Sequence, residues 1–384
     1  MKGYSRDVRV LMVAGFFYQC CSVSTSPIVA GYAQSIGASG LWMGIISALI
    51  TASAVVCRPI TGNLADRTAK FRLVLSGCLL MMVASIAYVV FPYVWCVALF
   101  RCLHGVGYAC CSIGVSSWLT MLLPPEKLKS GVGMYGTVNA LAMAIGPAIG
   151  IRTRNALGYH WSFLIAGASA FITIMLVLMI RDRGVPVRRE TQKKTGKPQI
   201  VFPRVVPIAF ALGLIAIPYT ANKSFLVTYV ETTGLDLQPD IFFTLYAVIL
   251  VGLRVVLAKM FDKVSYSKFL LICNIAMIGC MTALSFMQGY LVMLLAALLM
   301  AGSYGILFSV SQSATAAAAP AEQRGIARGT YYLGLAFGSS LGPVIGGALY
   351  GGLDISLFYP VLSVFGLLGI GMYFICKRIY EKAA

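Results

Sequence analysis

Runs of about twenty apolar residues, separated by short polar breaks, recur along the whole chain, and each run is long enough for one helix to cross a bilayer. The pattern predicts twelve helical spans, near residues 10–33, 42–64, 73–91, 94–120, 131–151, 160–180, 204–229, 240–261, 268–287, 289–316, 325–350 and 355–376. The spans fall into two sets of six that are related by a constant shift. Adding 196 to the position carries Arg58 onto Arg254, Asp66 onto Asp262, Pro124 onto Pro320, Glu126 onto Glu322, Tyr135 onto Tyr331, and Gly146-Pro147 onto Gly342-Pro343. One offset held over so many positions marks two copies of one unit. A duplicated, membrane-embedded chain of this length has the sequence pattern of a secondary transporter built from repeats.

The expected organisation is an N-terminal six-helix bundle over residues 1–181, a cytoplasmic linker over 182–203 and a C-terminal six-helix bundle over 204–384. The linker is polar and basic, with prolines and glycines. Every other connection is short, so no soluble domain with its own core is expected.

Composition agrees with the span pattern. The 384 residues are 59% hydrophobic and 11% charged, with a mean hydropathy of +0.86, whereas soluble domains carry about 25% charged residues. The net charge of +18 is read as topology and not as a nucleic-acid footprint, because the basic residues gather at both ends and in alternate loops. The clusters are Lys2, Arg6 and Arg9; Arg67, Lys70 and Arg72; Lys127 and Lys129; the linker; Lys259, Lys263 and Lys268; Arg324 and Arg328; and Lys377, Arg378 and Lys382. The intervening loops hold only Arg152 and Arg154. By the positive-inside rule both termini are cytoplasmic, with Trp42, Trp95 and Trp161 at outer helix ends. No cleavable signal is expected, so the first span is retained in a multi-pass protein of the cytoplasmic membrane. The 11 cysteines lie within or at the ends of spans without metal-ligand spacing, and read as packing residues. No phosphate-binding glycine loop and no His/Cys metal cluster is seen, so neither an enzyme nor a cofactor is expected.

The end of the second span carries Arg58, Gly62, Leu64, Ala65, Asp66, Arg67, Lys70 and Arg72. This resembles the signature of the major facilitator superfamily between its second and third helices, G-x-L-a-D-R-x-G-R-K, with departures at Ala69, Lys70 and Phe71. The second copy keeps a degraded form in Arg254, Ala258, Met260, Asp262 and Lys263. The resemblance implies a gate, with the aspartate facing the N-terminal end of the eleventh helix; Arg58, Gly62, Asp66, Arg67, Arg254 and Asp262 are its candidate members. A carboxylate at a helix N-terminus meets the positive end of the macrodipole, and a contact made in one state only biases an equilibrium. Asp66 and Arg67 are thus expected to favour the cytoplasmically closed state. In the fourth span, Arg101, His104, Gly105 and Gly107 are similar to the family's R-x-x-q-G segment, with His104 where glutamine is common. The resemblance assigns such an arginine to proton coupling or cavity electrostatics; tying the fourth helix to the first is the alternative. An ionisable residue inside the membrane is a functional candidate in its own right.

Gly146, Pro147 and Gly150 in the fifth span, and Gly329, Gly338, Gly342, Pro343, Gly346 and Gly347 in the eleventh, resemble the family's antiporter segment, g-x8-g-x3-G-P-x2-G-g, which favours export over uptake. Independently of the name, glycines along one helix let a neighbouring backbone approach closely, and a proline bends the helix. These two helices are therefore expected to be equivalent, bent and closely packed, at the interface between the halves. All 12 acidic residues fall at helix ends, loops or termini, whereas Arg101, His104 and Lys223 fall inside spans. A cavity with cations and no fixed anion favours anionic, zwitterionic or amphipathic solutes. Tyr18, Gln19, Tyr135, Asn139, Asn222, Gln312 and Tyr331 complete the candidate cavity residues, since polar groups avoid lipid. The sum of these readings is a twelve-helix, all-α, pseudo-symmetric membrane protein. It is expected to act as a monomer that exchanges a small organic solute for protons or a counter-solute, with the bilayer as its other partner. Uptake or anion exchange on the same fold, and a non-transporting receptor or scaffold, are the rival readings.

Overall fold

The computed structural model describes residues 4–185, 201–257, 264–320 and 323–380. The described residues form twelve principal helices: α1 (Arg6–Thr25), α2 (Gly40–Arg67), α3 (Lys70–Val90), α4 (Val94–Leu122), α5 (Leu128–Leu157), α6 (Tyr159–Leu178), α7 (Val206–Thr232), α8 (Pro239–Val256), α9 (Tyr266–Ser285), α10 (Tyr290–Ala317), α11 (Arg324–Gly352) and α12 (Phe358–Tyr380). Eleven of them are long and apolar enough to cross a bilayer. The twelfth, α8, spans 18 described residues and runs up to residues outside the described set. Most of the linker, together with Asp262 and Lys263, also lies outside the described residues.

The first span differs from its expected form. Instead of one helix over residues 10–33, α1 stops at Thr25 and a short helix, Val29–Ser35, follows. Pro27 stands in the break, where its ring and missing N–H cannot continue the ladder. The hydroxyls of Ser24, Thr25 and Ser26 turn back onto the carbonyls of Cys21 and Ser22, satisfying acceptors near the broken end. At the two glycine-proline pairs no such break occurs: Pro147 and Pro343 lie inside continuous helices.

Contacts divide the described chain into two compact units, residues 4–38 with 49–185, and residues 39–48 with those from 201 onward. The packing of the first is repeated in the second. In unit 1, α1 lies against α5 and α6, and α3 against α4 and α6; in unit 2, α7 lies against α11 and α12, and α9 against α10 and α12. Without a hydrophobic drive between helices in lipid, such pairs rely on close fit, and glycines supply it. A Cβ on Gly146 or Gly150 would overlap Val23 or the Ser24 carbonyl of α1. On α11, a Cβ on Gly334, Gly338 or Gly342 would overlap the backbone of α7 at Ala209, Gly213 and Ile217, and one on Gly346 would crowd Phe225. Four glycines at four-residue intervals thus form one continuous stripe facing α7. The glycine faces of α5 and α11 are turned to a helix of their own unit. The first turns of α2 are grouped with unit 2 for the same reason, because Gly40 and Gly44 leave room for Gly347 and Gly351 of α11.

The outside of the helices carries large apolar side chains such as Leu99, Trp95, Trp161, Phe171, Leu291 and Phe374, all exposed. That surface suits hydrocarbon and headgroup, not water. The end of unit 1 is stitched by the start of the linker. The amides of Arg181 and Asp182 donate to the Asp7 carboxylate, Trp118 Nε1 donates to the Asp182 carbonyl at 3.1 Å, and the Arg183 guanidinium lies 4.1 Å from the Phe71 ring centroid.

Candidate functional site

Arg101, one of the largest fully buried side chains of the protein, is 1% exposed. Its Nη1 donates to Thr25 Oγ1 at 3.1 Å, at the broken end of α1, and the Tyr88 hydroxyl of α3 lies within hydrogen-bonding reach of the guanidinium. His104, one turn further along α4, is completely buried; its Nδ1 is 3.3 Å from the Tyr88 hydroxyl, and its ring lies parallel to the Tyr88 ring. His104 Nε2 has no hydrogen-bond partner. The two residues share a helix face by their i, i+3 spacing, and Tyr88 joins them. Thr25 and Tyr88 carry no sequence signal that would single them out. On the opposite side of this turn, Gly105 lets α4 approach the α2 backbone at Ile50. Chemically, the cluster is a fixed cation held among hydroxyls.

A second group lies on α1, α4 and α5. Tyr18 and Tyr135 bring their hydroxyls to 3.0 Å, Tyr108 stands 6.2 Å from the Tyr18 ring, and Tyr135 is seated on Gly15. Asn139 adjoins the Tyr135 hydroxyl, while its own Oδ1 is buried without a partner. Gln19 is buried beside Tyr18.

In unit 2 the candidate residues are dispersed. Asn222 is 1% exposed and accepts from the Tyr359 hydroxyl of α12 at 2.9 Å, so it ties α7 to α12. Tyr331 is buried, with its hydroxyl donating to the Phe308 carbonyl. Gln312 Nε2 reaches the Tyr332 hydroxyl at 3.4 Å, and Lys223 is partly buried one residue beyond Asn222. Three residues that the sequence reading passed over, Tyr219, Tyr246 and Tyr304, meet here. A signal for one of them existed, since Tyr304 is related to Tyr108 by the same 196-residue shift that relates Tyr331 to Tyr135.

Of the gate candidates, Asp66 and Arg67 are exposed in the last turn of α2, and Gly62 faces open space. Lys70 is buried and its Nζ donates to the Ala65 carbonyl, with Asp66 as a charged neighbour. Arg58 and Arg254 are partly buried; Arg254 Nε has no hydrogen-bond partner. Asp262 lies outside the described residues. Arg154 folds onto Tyr159, donating to its hydroxyl at 2.9 Å with the guanidinium 4.7 Å from the ring centroid. The cysteines are all free, and among the described residues no group of His, Cys, Asp and Glu is placed to hold a metal ion.

The sequence matches the family model "Major Facilitator Superfamily" over residues 11–265 and again over 208–383. The multi-drug resistance efflux pump PmrA homolog of Lactococcus lactis subsp. lactis is 23% identical over 400 positions, covering 99% of this chain and 96% of that protein. The quinolone resistance protein NorA of Staphylococcus aureus is 22% identical over 377 positions, covering 93% of this chain and 92% of its own. Among solved structures, the fold is shared with a peptide transporter, POT, at a TM-score of 0.82 and 16% identity, over 100% of this chain and 96% of that one. It is also shared with the nucleoside transporter NupG, at a TM-score of 0.84 and 12% identity, over 98% of this chain and all of the other. The two tandem matches, the repeated packing of the units and the shared fold lead to one conclusion: this chain belongs to the Major Facilitator Superfamily.

Proposed function

We propose that the protein is a secondary active exporter. It would move a small organic solute out across the cytoplasmic membrane by alternating access, in exchange for protons or a counter-solute, with both termini cytoplasmic. The observation that carries this reading is the nearly full-length similarity to a multi-drug resistance efflux pump homolog and to a quinolone resistance protein. The glycine-proline segments of α5 and α11 support it. Their glycine stripes allow α5 on α1 and α11 on α7 to act as closely packed pairs within each unit.

In this reading Arg101, fixed by Thr25 and neighbouring His104, sets a positive potential inside unit 1. The Tyr18–Tyr135–Asn139 group offers hydroxyl and amide partners to a solute or to a proton path. Lys223, Gln312 and Tyr331 contribute in unit 2, and Asn222 holds α7 to α12 through Tyr359. Arg58, Gly62, Asp66 and Arg67, with Arg254 and Asp262, act as gate residues; the glycines Gly146, Gly150, Gly338 and Gly342 beside Pro147 and Pro343 act in packing. No carboxylate is placed in the middle of a described helix, which supports anionic, zwitterionic or amphipathic cargo over a purely cationic one.

Direction is tested in everted membrane vesicles loaded with the protein. With an acidic lumen imposed, an exporter accumulates a labelled solute inside the vesicle, and nigericin abolishes the accumulation if protons are exchanged. Solute loss from the vesicle under the same gradient would assign uptake instead.

A further inference from the structure

Within unit 2, three tyrosines from three helices meet near the middle of their spans: Tyr219 of α7, Tyr246 of α8 and Tyr304 of α10. The rings of Tyr219 and Tyr304 stack with centroids 3.8 Å apart and planes 10° from parallel. Tyr246 stands 5.7 Å from Tyr219 at 38°, and the two share a side-chain hydrogen bond. None of the three is fully covered; each keeps part of its surface accessible. A phenol half-way through a membrane protein is costly to direct at lipid, so partial exposure there points to a space meant to be filled by water or solute.

The backbone is shaped for this meeting. Helix α10 contains a π turn, Ala301–Gly305, with Tyr304 inside it, and Gly305 fits tightly against Leu250 of α8. One extra residue per turn re-aims every side chain in the turn, and such insertions concentrate at functional sites. The corresponding stretch around Tyr108 in α4 is plain α-helix. The copy-specific distortion thus belongs to the turn that carries Tyr304.

Charge narrows the occupant. Lys223 follows Tyr219 at i+4 and Arg254 follows Tyr246 at i+8, which places each cation on the helix face of its tyrosine. Arg254 Nε is buried without a hydrogen-bond partner. The described acids of this unit, Glu231, Asp236, Asp240 and Asp354, all stand at helix ends or in loops. Resting on the transporter reading and narrowing its cargo, we infer that Tyr219, Tyr246 and Tyr304 form a subsite for planar aromatic anions. The aromatic ring lies against the tyrosine faces, and the anionic group is drawn to Lys223 or Arg254. Aromatic pairs add attraction beyond burial through their offset or edge-on geometry, and a desolvated cation supplies the charge preference.

The test measures equilibrium binding of three probes to the full-length purified protein: 2-naphthoate, the uncharged 2-naphthol and the saturated decahydro-2-naphthoate. Binding of 2-naphthoate is expected to exceed that of each other probe by roughly tenfold. Tyr219→Leu and Tyr304→Leu should erase the preference for the aromatic over the saturated acid. Tyr219→Phe and Tyr304→Phe, which keep the ring and serve as folded controls, should retain it. Lys223→Gln combined with Arg254→Gln should erase the preference for the acid over 2-naphthol while leaving the ring preference. Equal binding of 2-naphthoate and its saturated analogue by the wild type overturns the inference whether or not the leucine variants fold; so does a ring preference that survives in folded leucine variants. Flux in everted vesicles separates the two readings. Pumping of other solutes without aromatic-anion binding overturns this subsite alone, and binding of 2-naphthoate by a protein that moves nothing overturns the transport reading alone.

Discussion

Replacing Gly338 by alanine adds one methyl group where α11 meets α7. An ideal Cβ there would lie 2.7 Å from the Gly213 Cα and would overlap the Gly213 carbonyl as well, whereas ordinary contact begins near 3.4 Å. Two packed helices would have to part by roughly 0.7 Å or more, and because the obstacle is backbone, no side chain can rotate away. Overpacking of this kind costs about 1–3 kcal/mol, against a gain of about 1 kcal/mol from replacing a helical glycine by alanine. The net is a loss of up to about 2 kcal/mol, or up to roughly 8 °C in Tm for a unit of this size, and the rigid backbone obstacle puts the expected loss toward the upper end. Gly371, also helical, has nothing within 4 Å of its added Cβ, so Gly371→Ala keeps only the propensity gain and raises Tm. Gly334→Ala combined with Gly338→Ala should cost less than the sum of the two, because one separation of α7 from α11 relieves both overlaps. Unfolding is followed with a thiol-reactive fluorophore, which reports the free and mostly buried cysteines as they become accessible. A Gly338→Ala Tm equal to wild type, or a Gly371→Ala loss as large as that of Gly338→Ala, would refute the packing argument.

Three further outcomes follow from the same geometry. Tyr88→Phe removes the partner of His104 Nδ1 in a site where Nε2 already has none; it should cost about 1–3 kcal/mol, read as a lower Tm, and a Tm at the wild-type value contradicts the hydrogen-bond assignment. Asp354, between α11 and α12, has its carboxyl held below the usual range by hydrogen bonds from the Ser356 side chain and amide. A depressed carboxylate stabilises above its unfolded pKa and loses that contribution as pH falls through its folded value; Asp354→Ala should lower Tm at neutral pH, with the deficit closing in acid, and a pH-independent deficit would point to another cause. Asp66→Asn, at the exposed end of α2, should alter both transport rate and reagent access from the cytoplasmic side; if neither changes, Asp66 has no gating role.

The outline of the fold was legible because hydropathy separates lipid-spanning segments from polar breaks: each expected segment overlaps a described helix, the first of them broken at Pro27 and the end of the eighth lying outside the described residues. The 196-residue shift relates α5 to α11, and each of the two lies against the first helix of its own unit. Hydropathy could not say which neighbour a glycine stripe faces, since Gly338 reads the same against α7 as against any other helix. It also smoothed over the break at Pro27, because the residues on both sides are apolar. The partners of Arg101 were hidden for a related reason: Thr25 and Tyr88 are ordinary residues until the fold brings them to α4. Tyr219, Tyr246 and Tyr304 are separated in sequence by tens of residues, and the π turn that presents Tyr304 has no pattern in composition.

Solute counterflow in proteoliposomes of the purified protein tests most directly whether this duplicated helical chain is an alternating-access transporter. With unlabelled solute preloaded, the account predicts saturable, protein-dependent entry of trace labelled solute that exceeds the rate into empty liposomes. Entry indistinguishable from protein-free liposomes, across a panel of aromatic, zwitterionic and amphipathic solutes, would contradict it.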